Sequence, residues 1–124
     1  MSETEHIEIL FKGVKIWNEW RIAHPEIRPN LKRANLKGKD LSGYNLSNAN
    51  LRWVFLQNAN LSFCDLSNSD LTHAYLSHAD LSNADLNNAN LSEADLTNAN
   101  LDQANIEWTL FDRHTDFSYH KDEQ

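Results

Sequence analysis

Leucine recurs at every fifth position over most of the chain. The row runs without a gap from Leu31 to Leu101, and Ile106 and Phe111 continue it. Two residues before these positions lies a second apolar position, which holds Ala in ten of 17 units. A period of five matches neither the 3.6 residues of a helix nor the 2 of a strand, so a helix here would scatter its leucines around its axis. The pattern therefore excludes an amphipathic helix over residues 29–113.

The spacing between the two apolar positions predicts a chain that bends once in every unit. The step of two residues from Ala to Leu keeps both side chains on one face of an extended segment, as in a strand. The step of three from Leu to the next Ala requires a turn. A chain that turns the same way in each unit winds into a coil with Leu and Ala inside. The sequence thus predicts an all-β solenoid whose stacked coils share one apolar interior.

Asn or Asp precedes the central residue in 14 of 17 units, which completes a recognisable motif. The repeat resembles the A(D/N)LXX signature of the pentapeptide repeat protein family, as in Ala34-Asn35-Leu36, Ala79-Asp80-Leu81, Ala84-Asp85-Leu86 and Ala94-Asp95-Leu96. The resemblance implies a right-handed quadrilateral β-helix with four pentapeptides per coil, hence about four coils over residues 29–113. It also favours a bacterial source, because the leading segment and single repeat block are similar to those of bacterial members.

Residues 1–28 are predicted to form a helical cap and linker. Apolar residues at helical spacing indicate one helix over residues 3–24 that ends before Pro25; they are Ile7, Leu10, Phe11, Val14 and Trp17. A short solenoid exposes unpaired edges and an apolar cross-section at each end, so the helix is expected to cover the first coil. Lys39 and Tyr44 replace the small inward residue in that coil, and we expect both to face the cap.

Residues 114–124 form the predicted C-terminal cap or tail. At this end of the repeat and in the tail, bulky side chains replace the Asn- and Ser-rich pattern; they are Trp108, Leu110, Phe111, Phe117 and Tyr119. Two arrangements remain open. Either Phe117 or Tyr119 folds over the last leucines of a monomer, or two copies join end to end as a homodimer.

The net charge of −7 is unevenly distributed. Residues 1–52 carry nine basic and six acidic residues, whereas residues 53–112 carry nine acidic residues and no Lys or Arg. Such a middle would repel phosphates, so direct nucleic-acid binding is not expected. The acidic N-terminus is unlike a secretory signal, and no run of about 18 apolar residues could span a membrane. We expect a cytoplasmic protein without a membrane anchor.

Because each coil is expected to have twenty residues, side chains twenty positions apart should stack in columns on the outer surface. Phe55 then lies over Tyr75, and Trp53 over His73. Exposed aromatic clusters on solenoids often serve as contact surfaces, so these four residues are candidates for binding an unidentified protein. The alternative is structural, since stacked aromatic residues stabilise neighbouring strands by themselves.

Acidic residues form a second candidate surface. Asp65 and Asp85 share a predicted column. The other members of this acidic surface are expected nearby; they are Asp70, Asp80 and Asp95. They resemble the surface by which longer pentapeptide repeat proteins imitate DNA toward type II topoisomerases such as gyrase. The alternative is that Asn and Asp before Leu serve the turn through side-chain hydrogen bonds to the backbone.

Catalytic and cofactor chemistry find little support in the sequence. The six His residues show no metal-ligand spacing, and Cys64 takes an inward small-residue position, which is typical of core packing. A convex rod also offers no cleft in which carboxylates could converge. We therefore expect a non-enzymatic protein without cofactor or metal that presents a rigid surface to another protein.

Overall fold

The computed structural model describes residues 3–112 and 114–117, which form two helices followed by a stack of four-sided coils. Helix α1 spans Glu3–Leu10 and helix α2 spans Val14–Ala23. From Asn30 to Leu110, every fifth residue makes a single-residue parallel bridge to the residue twenty positions away, as Asn35 does to Phe55. Four bridges per twenty residues give each coil four sides. We number the coils from residues 29–48 (coil 1) in steps of twenty.

Each corner of the coil is a four-residue turn with one residue in the left-handed region. The N–H of Ala34 donates to the Leu31 carbonyl at 3.0 Å, and Arg33 between them has a φ of 62°. Positive φ values recur at every fifth residue as far as Trp108. The Asn or Asp before each Leu supports the next turn: Oδ1 of Asp65 accepts hydrogen bonds from the N–H (3.0 Å) and hydroxyl (2.6 Å) of Ser67. The repeat thus encodes its own corners.

The core is a continuous interior of stacked leucines. The central leucines from Leu31 to Leu91 are at most 3 % exposed. Backbone bonds join the coils beside them, such as Leu36 N–H to the Phe55 carbonyl at 2.8 Å and Phe55 N–H to the Ala34 carbonyl at 3.0 Å. Burial decreases toward the C-terminal end, where Ile106 is 48 % exposed. The leucines of coils 2 and 3 are therefore held by coils on both sides, whereas Ile106 is not.

The prediction of one helix over residues 3–24 is wrong, because the segment contains two helices. The chain breaks at Gly13, whose φ of 107° lies in a region that L side chains rarely adopt. The turn lets both helices place one side on the coils. Leu10 of α1 and Trp17 of α2 are fully buried, whereas Phe11 remains 55 % exposed.

The two helices supply hydrogen-bond partners to the free backbone edge of coil 1. Backbone groups that would face a preceding coil receive side chains instead: Asn30 N–H donates to Nδ1 of His6 at 2.8 Å. On another side, the Asn45 carbonyl accepts from Trp17 Nε1 at 2.7 Å and from Arg21 at 2.8 Å. Arg21 also donates to the Ser47 carbonyl at 2.9 Å. The cap therefore does for coil 1 what a preceding coil would do.

The two oversized residues of coil 1 behave differently. Tyr44 points inward as expected, and its hydroxyl donates to the Leu10 carbonyl at 3.1 Å. Lys39 also faces the cap, because its ammonium lies 5.1 Å from the centre of the Phe11 ring, but its side chain is exposed and does not point inward. Burying an unpaired ammonium would cost far more than this exposed cation–π contact, so the lysine turns outward.

The ladder continues past residue 113 with one extra residue. Asp95 bridges Asp116, twenty-one positions away, and buried Thr115 donates its hydroxyl to the Leu91 carbonyl at 2.9 Å. Phe117 follows and packs against Phe111, with ring centres 5.0 Å apart. Phe117 therefore packs against the end of the core, while Tyr119 lies outside the described residues.

Candidate interaction surface

One side of the rod carries a compact group of aromatic side chains, which we call the aromatic face. Each coil contributes three outward positions to this side: the corner before the bridge residue, the bridge residue itself and the corner after it. From coil 1 to coil 4 the face reads Arg33-Asn35-Lys37, Trp53-Phe55-Gln57, His73-Tyr75-Ser77 and Glu93-Asp95-Thr97. The four residues predicted as interaction candidates all lie in its two middle coils.

The aromatic rings form two parallel stacks. The rings of Trp53 and His73 lie 4.1 Å apart and 4° from parallel, and those of Phe55 and Tyr75 lie 4.9 Å apart and 1° from parallel. The ring centres of Trp53 and Tyr75 lie 6.4 Å apart, so the two stacks are neighbours. The twenty-residue spacing in the sequence predicts these pairs. Phe55 remains 37 % exposed, so the stacks do not remove the patch from solvent.

Charged residues close the corner stack at both ends. The guanidinium carbon of Arg33 lies 5.6 Å from the centre of the Trp53 ring. At the other end, Nε2 of His73 lies 3.7 Å from a carboxylate oxygen of Glu93. The column therefore runs from a cation through two rings to an anion. Sequence reasoning missed Arg33 and Glu93, although the twenty-residue column that identified the rings also contains them.

A shallow dent lies beside Phe55 on the side of coil 1. It has a volume of about 280 Å³ and is lined by Asn35, Lys37, Phe55 and Gln57. The dent exists because Asn35, the neighbour of Phe55 in its column, is much smaller than a ring. Oε1 of Gln57 is buried and makes no hydrogen bond. The dent thus offers an apolar ring and a cation.

Each coil of the face has one residue in the left-handed backbone region. Arg33, Trp53, His73 and Glu93 have φ values of 62°, 58°, 61° and 60°. Asn occupies the equivalent corner at six other places: Asn48, Asn58, Asn68, Asn83, Asn88 and Asn98. Asn and His tolerate this region better than a bulky Trp, so the Trp53 ring carries a conformational cost that stacking, or a partner, must offset.

The acidic candidates are distributed over all four sides. Asp65 and Asp85 bridge each other in one column, as predicted, but Asp70, Asp80 and Asp95 each lie on a different side. Oδ1 of all five accepts the N–H two residues further on, as Asp80 does from Ser82 at 2.9 Å. Each of these five carboxylates therefore supports a turn. Asp65 and Asp85 are the two of the five that lie in the same column.

The other reactive groups in the described part of the chain lie either in the core or on the surface. Cys64 is buried, its thiol donates to the Leu41 carbonyl at 2.8 Å, and burial raises its pKa to about 12. No group of three or more His, Cys, Asp or Glu in residues 3–112 and 114–117 is arranged to hold a metal ion. Within the same residues, neither helix has the length and apolar character needed to cross a membrane.

The sequence matches the family model described as pentapeptide repeats. The matches comprise eight copies and cover residues 30–62, 64–103 and 74–118. A comparison with curated proteins yields no match.

Solved structures of similar sequence are also described as pentapeptide repeat proteins. Rfr23 from the cyanobacterium Cyanothece 51142 is 38 % identical, with a TM-score of 0.72; the match covers 73 % of this chain and 61 % of Rfr23. The protein alr5209 from Nostoc is 33 % identical over 89 % of this chain and 88 % of its own, with a TM-score of 0.44. A protein of the Arabidopsis thaliana thylakoid lumen is 30 % identical over 60 % of this chain and 63 % of its own, with a TM-score of 0.41.

Proposed function

Because the chain belongs to the pentapeptide repeat family, whose members are right-handed quadrilateral β-helices and in general not enzymes, we propose that it acts by presenting the aromatic face to a partner protein. The observation that carries this proposal is the grouping of four ring side chains on one side of the rod. They are Trp53, Phe55, His73 and Tyr75. Aromatic residues are the side chains that most often anchor protein interfaces.

Rigidity favours this role. Every coil is tied to its neighbours by backbone hydrogen bonds on each side, so the face keeps its shape without a partner. A partner that docks on a preformed surface loses less conformational entropy than one that must order a loop.

The test compares the aromatic face with an exposed ring elsewhere. In one variant, Trp53, Phe55 and Tyr75 are replaced by Ser, Asn and Asp; Asn and Asp are the residues that the repeat mostly uses at the positions of Phe55 and Tyr75. In the control, Phe63, which is 68 % exposed on another side, is replaced by Asn. Cross-linking followed by mass spectrometry in the native cell should show partners that the triple variant loses and the control keeps. Equal partner sets for both variants, with a lower melting temperature for the triple variant alone, would make the stacks purely structural.

A DNA-mimic role toward a type II topoisomerase is the second candidate. It is favoured by the nine acidic residues of segment 53–112, which contains no Lys or Arg, and by the Asp65–Asp85 column. The role predicts that excess protein inhibits supercoiling by gyrase and that Asp65→Asn with Asp85→Asn relieves the inhibition. Asn preserves the acceptor for the turn, so the fold should persist. A supercoiling assay without inhibition would dismiss this candidate.

A further inference from the structure

The aromatic face has opposite charges at its two ends. Arg33 and Lys37 lie in coil 1, below the rings, whereas Glu93 and Asp95 lie in coil 4, above them. Among the described residues, Arg33 stacks on the Trp53 ring, and Glu93 lies 3.7 Å from an imidazole that is charged only when protonated. A partner surface that complements this face must therefore be acidic at one end, apolar in the middle and basic at the other.

The dimensions of the face indicate how long a partner segment must be. Coil 1 and coil 4 are three coil spacings apart, or about 14 Å at roughly 4.8 Å per spacing. An α-helix rises about 1.5 Å per residue, so roughly ten residues would span this distance.

Backbone hydrogen bonding favours a helical partner over an extended one. On this side the N–H and carbonyl groups of successive coils bond to each other, as Phe55 N–H does to Ala34 and Gly38 N–H to Gln57. An extended peptide lying across the coils would find no backbone partners, whereas a helix satisfies its own backbone and contributes only side chains.

The dent beside Phe55 is the place for an anchoring side chain. A ring seated there would continue the Phe55–Tyr75 stack toward coil 1, with the aliphatic part of Lys37 at its edge. Trp and Tyr combine a flat ring with a polar N–H or O–H group, so they fit a site that is apolar at the Phe55 ring and open to solvent at Lys37.

We infer that the aromatic face accepts an amphipathic helix of about ten residues from a partner protein. Its acidic end lies over Arg33 and Lys37, a Trp or Tyr fills the dent beside Phe55, and its basic end lies over Glu93 and Asp95. This inference rests on the proposed function and adds the chemistry of the partner. A nucleic acid would meet repulsion at the coil 4 end and is not the expected occupant.

The experiment is a selection from a displayed library of helical 16-residue peptides. The wild-type protein is the bait, and the Trp53→Ser/Phe55→Asn/Tyr75→Asp variant is used for counter-selection. Enriched peptides should share an acidic end, a Trp or Tyr within about one turn of that end, and a basic end on one helical face. Their dissociation constants for the two proteins are then measured by fluorescence anisotropy.

Charge reversal tests the orientation of the bound peptide. Arg33→Glu with Lys37→Glu should weaken binding of an enriched peptide at least tenfold, and replacing the acidic residues of that peptide by Lys should restore it. Lys12→Glu with Lys32→Glu makes the same change in net charge outside the face and should alter the dissociation constant less than twofold. Circular dichroism must show that each variant remains folded.

Two results would overturn the inference. Peptides that need the aromatic rings but show no charge polarity, or that tolerate the Arg33 and Lys37 reversal, would reject the dipolar helix and leave the proposed function intact. If no peptide distinguishes wild type from the triple variant, the helix is rejected as well. The cross-linking comparison described above then decides independently whether the face binds any protein.

Discussion

The backbone N–H of Asn30 donates a 2.8 Å hydrogen bond to Nδ1 of His6. The acceptor nitrogen must be unprotonated, so the proton of the neutral ring is on Nε2. His6 is only 3 % exposed and its ring lies 5.3 Å from that of Trp20. This contact joins helix α1 to coil 1 at Asn30, and the bond from the Tyr44 hydroxyl to the Leu10 carbonyl joins them at a second place.

Acid should weaken the attachment of α1. Burial is the largest influence on His6 and lowers its pKa below the ordinary 6.5, although the nearby Glu5 carboxylate acts in the opposite direction. The unfolded chain therefore binds the proton more readily, and stability is lost as the pH falls below about 6.5. Urea unfolding at pH 7.5 and 5.0 should show a larger loss for wild type than for His6→Gln, whose amide oxygen can accept the same bond without titrating. Equal losses would contradict the role of His6.

Removal of Arg21 should release the cap from the edge of coil 1. Arg21 is 8 % exposed and donates to the carbonyls of Asn45 and Ser47. Arg21→Leu keeps an apolar stem but leaves the Ser47 carbonyl without this donor, so we expect a loss of about 3 kcal/mol in the free energy of unfolding. Hydrogen exchange at the Asn45 N–H should accelerate. Lys15→Ala, which removes only an exposed pair with Glu19, should change neither quantity appreciably.

Truncation of a central side chain should cost more in the middle of the stack than at its end. Leu61 is fully buried between coils, whereas Ile106 is 48 % exposed. Leu61→Ala leaves a cavity and should lower the free energy of unfolding by about 2–5 kcal/mol. Ile106→Ala should cost less than about 1.5 kcal/mol, because solvent already reaches the site. Chemical denaturation measures both, and similar costs would show that the interior is not continuous.

Phe63→Asn should stabilise the protein. Phe63 has a φ of 60°, is 68 % exposed and lies in a column with Asn83. Asn tolerates the left-handed region better than Phe, so a gain of roughly 0.5–1 kcal/mol in the free energy of unfolding is expected. The reverse change, Asn83→Phe, should lower the melting temperature. If Phe63→Asn lowers it instead, the ring makes a contact that outweighs the backbone cost.

The Cys64 thiol should be unreactive in the folded protein. It is 1 % exposed and its pKa is raised to about 12 by burial, so almost no thiolate exists at pH 8. Ellman's reagent should react only after denaturant is added. Cys64→Ala should be tolerated well, because Ala is the usual occupant of this inward position. Rapid labelling of the native protein would place the thiol outside the core.

The period of five predicted the bend in each unit and the inward Leu and Ala, and the resemblance to the pentapeptide repeat family supplied the four sides of each coil. Once each coil has twenty residues, the neighbour of a residue follows from arithmetic, because hydrogen-bonded coils stack in strict register. The pairs Phe55–Tyr75 and Trp53–His73 and the burial of Cys64 could be predicted in this way.

Only the tertiary structure decided the features that do not repeat. The break at Gly13, the bonds from His6 and Arg21 to coil 1, the outward turn of Lys39 and the extra residue before Asp116 have no period from which to infer a partner. Each reflects a competition among burial, charge and free backbone groups that depends on where the cap and the coils meet. The same reason explains why the sequence located the rings of the aromatic face but not its dent, which arises from the difference in size between Asn35 and Phe55.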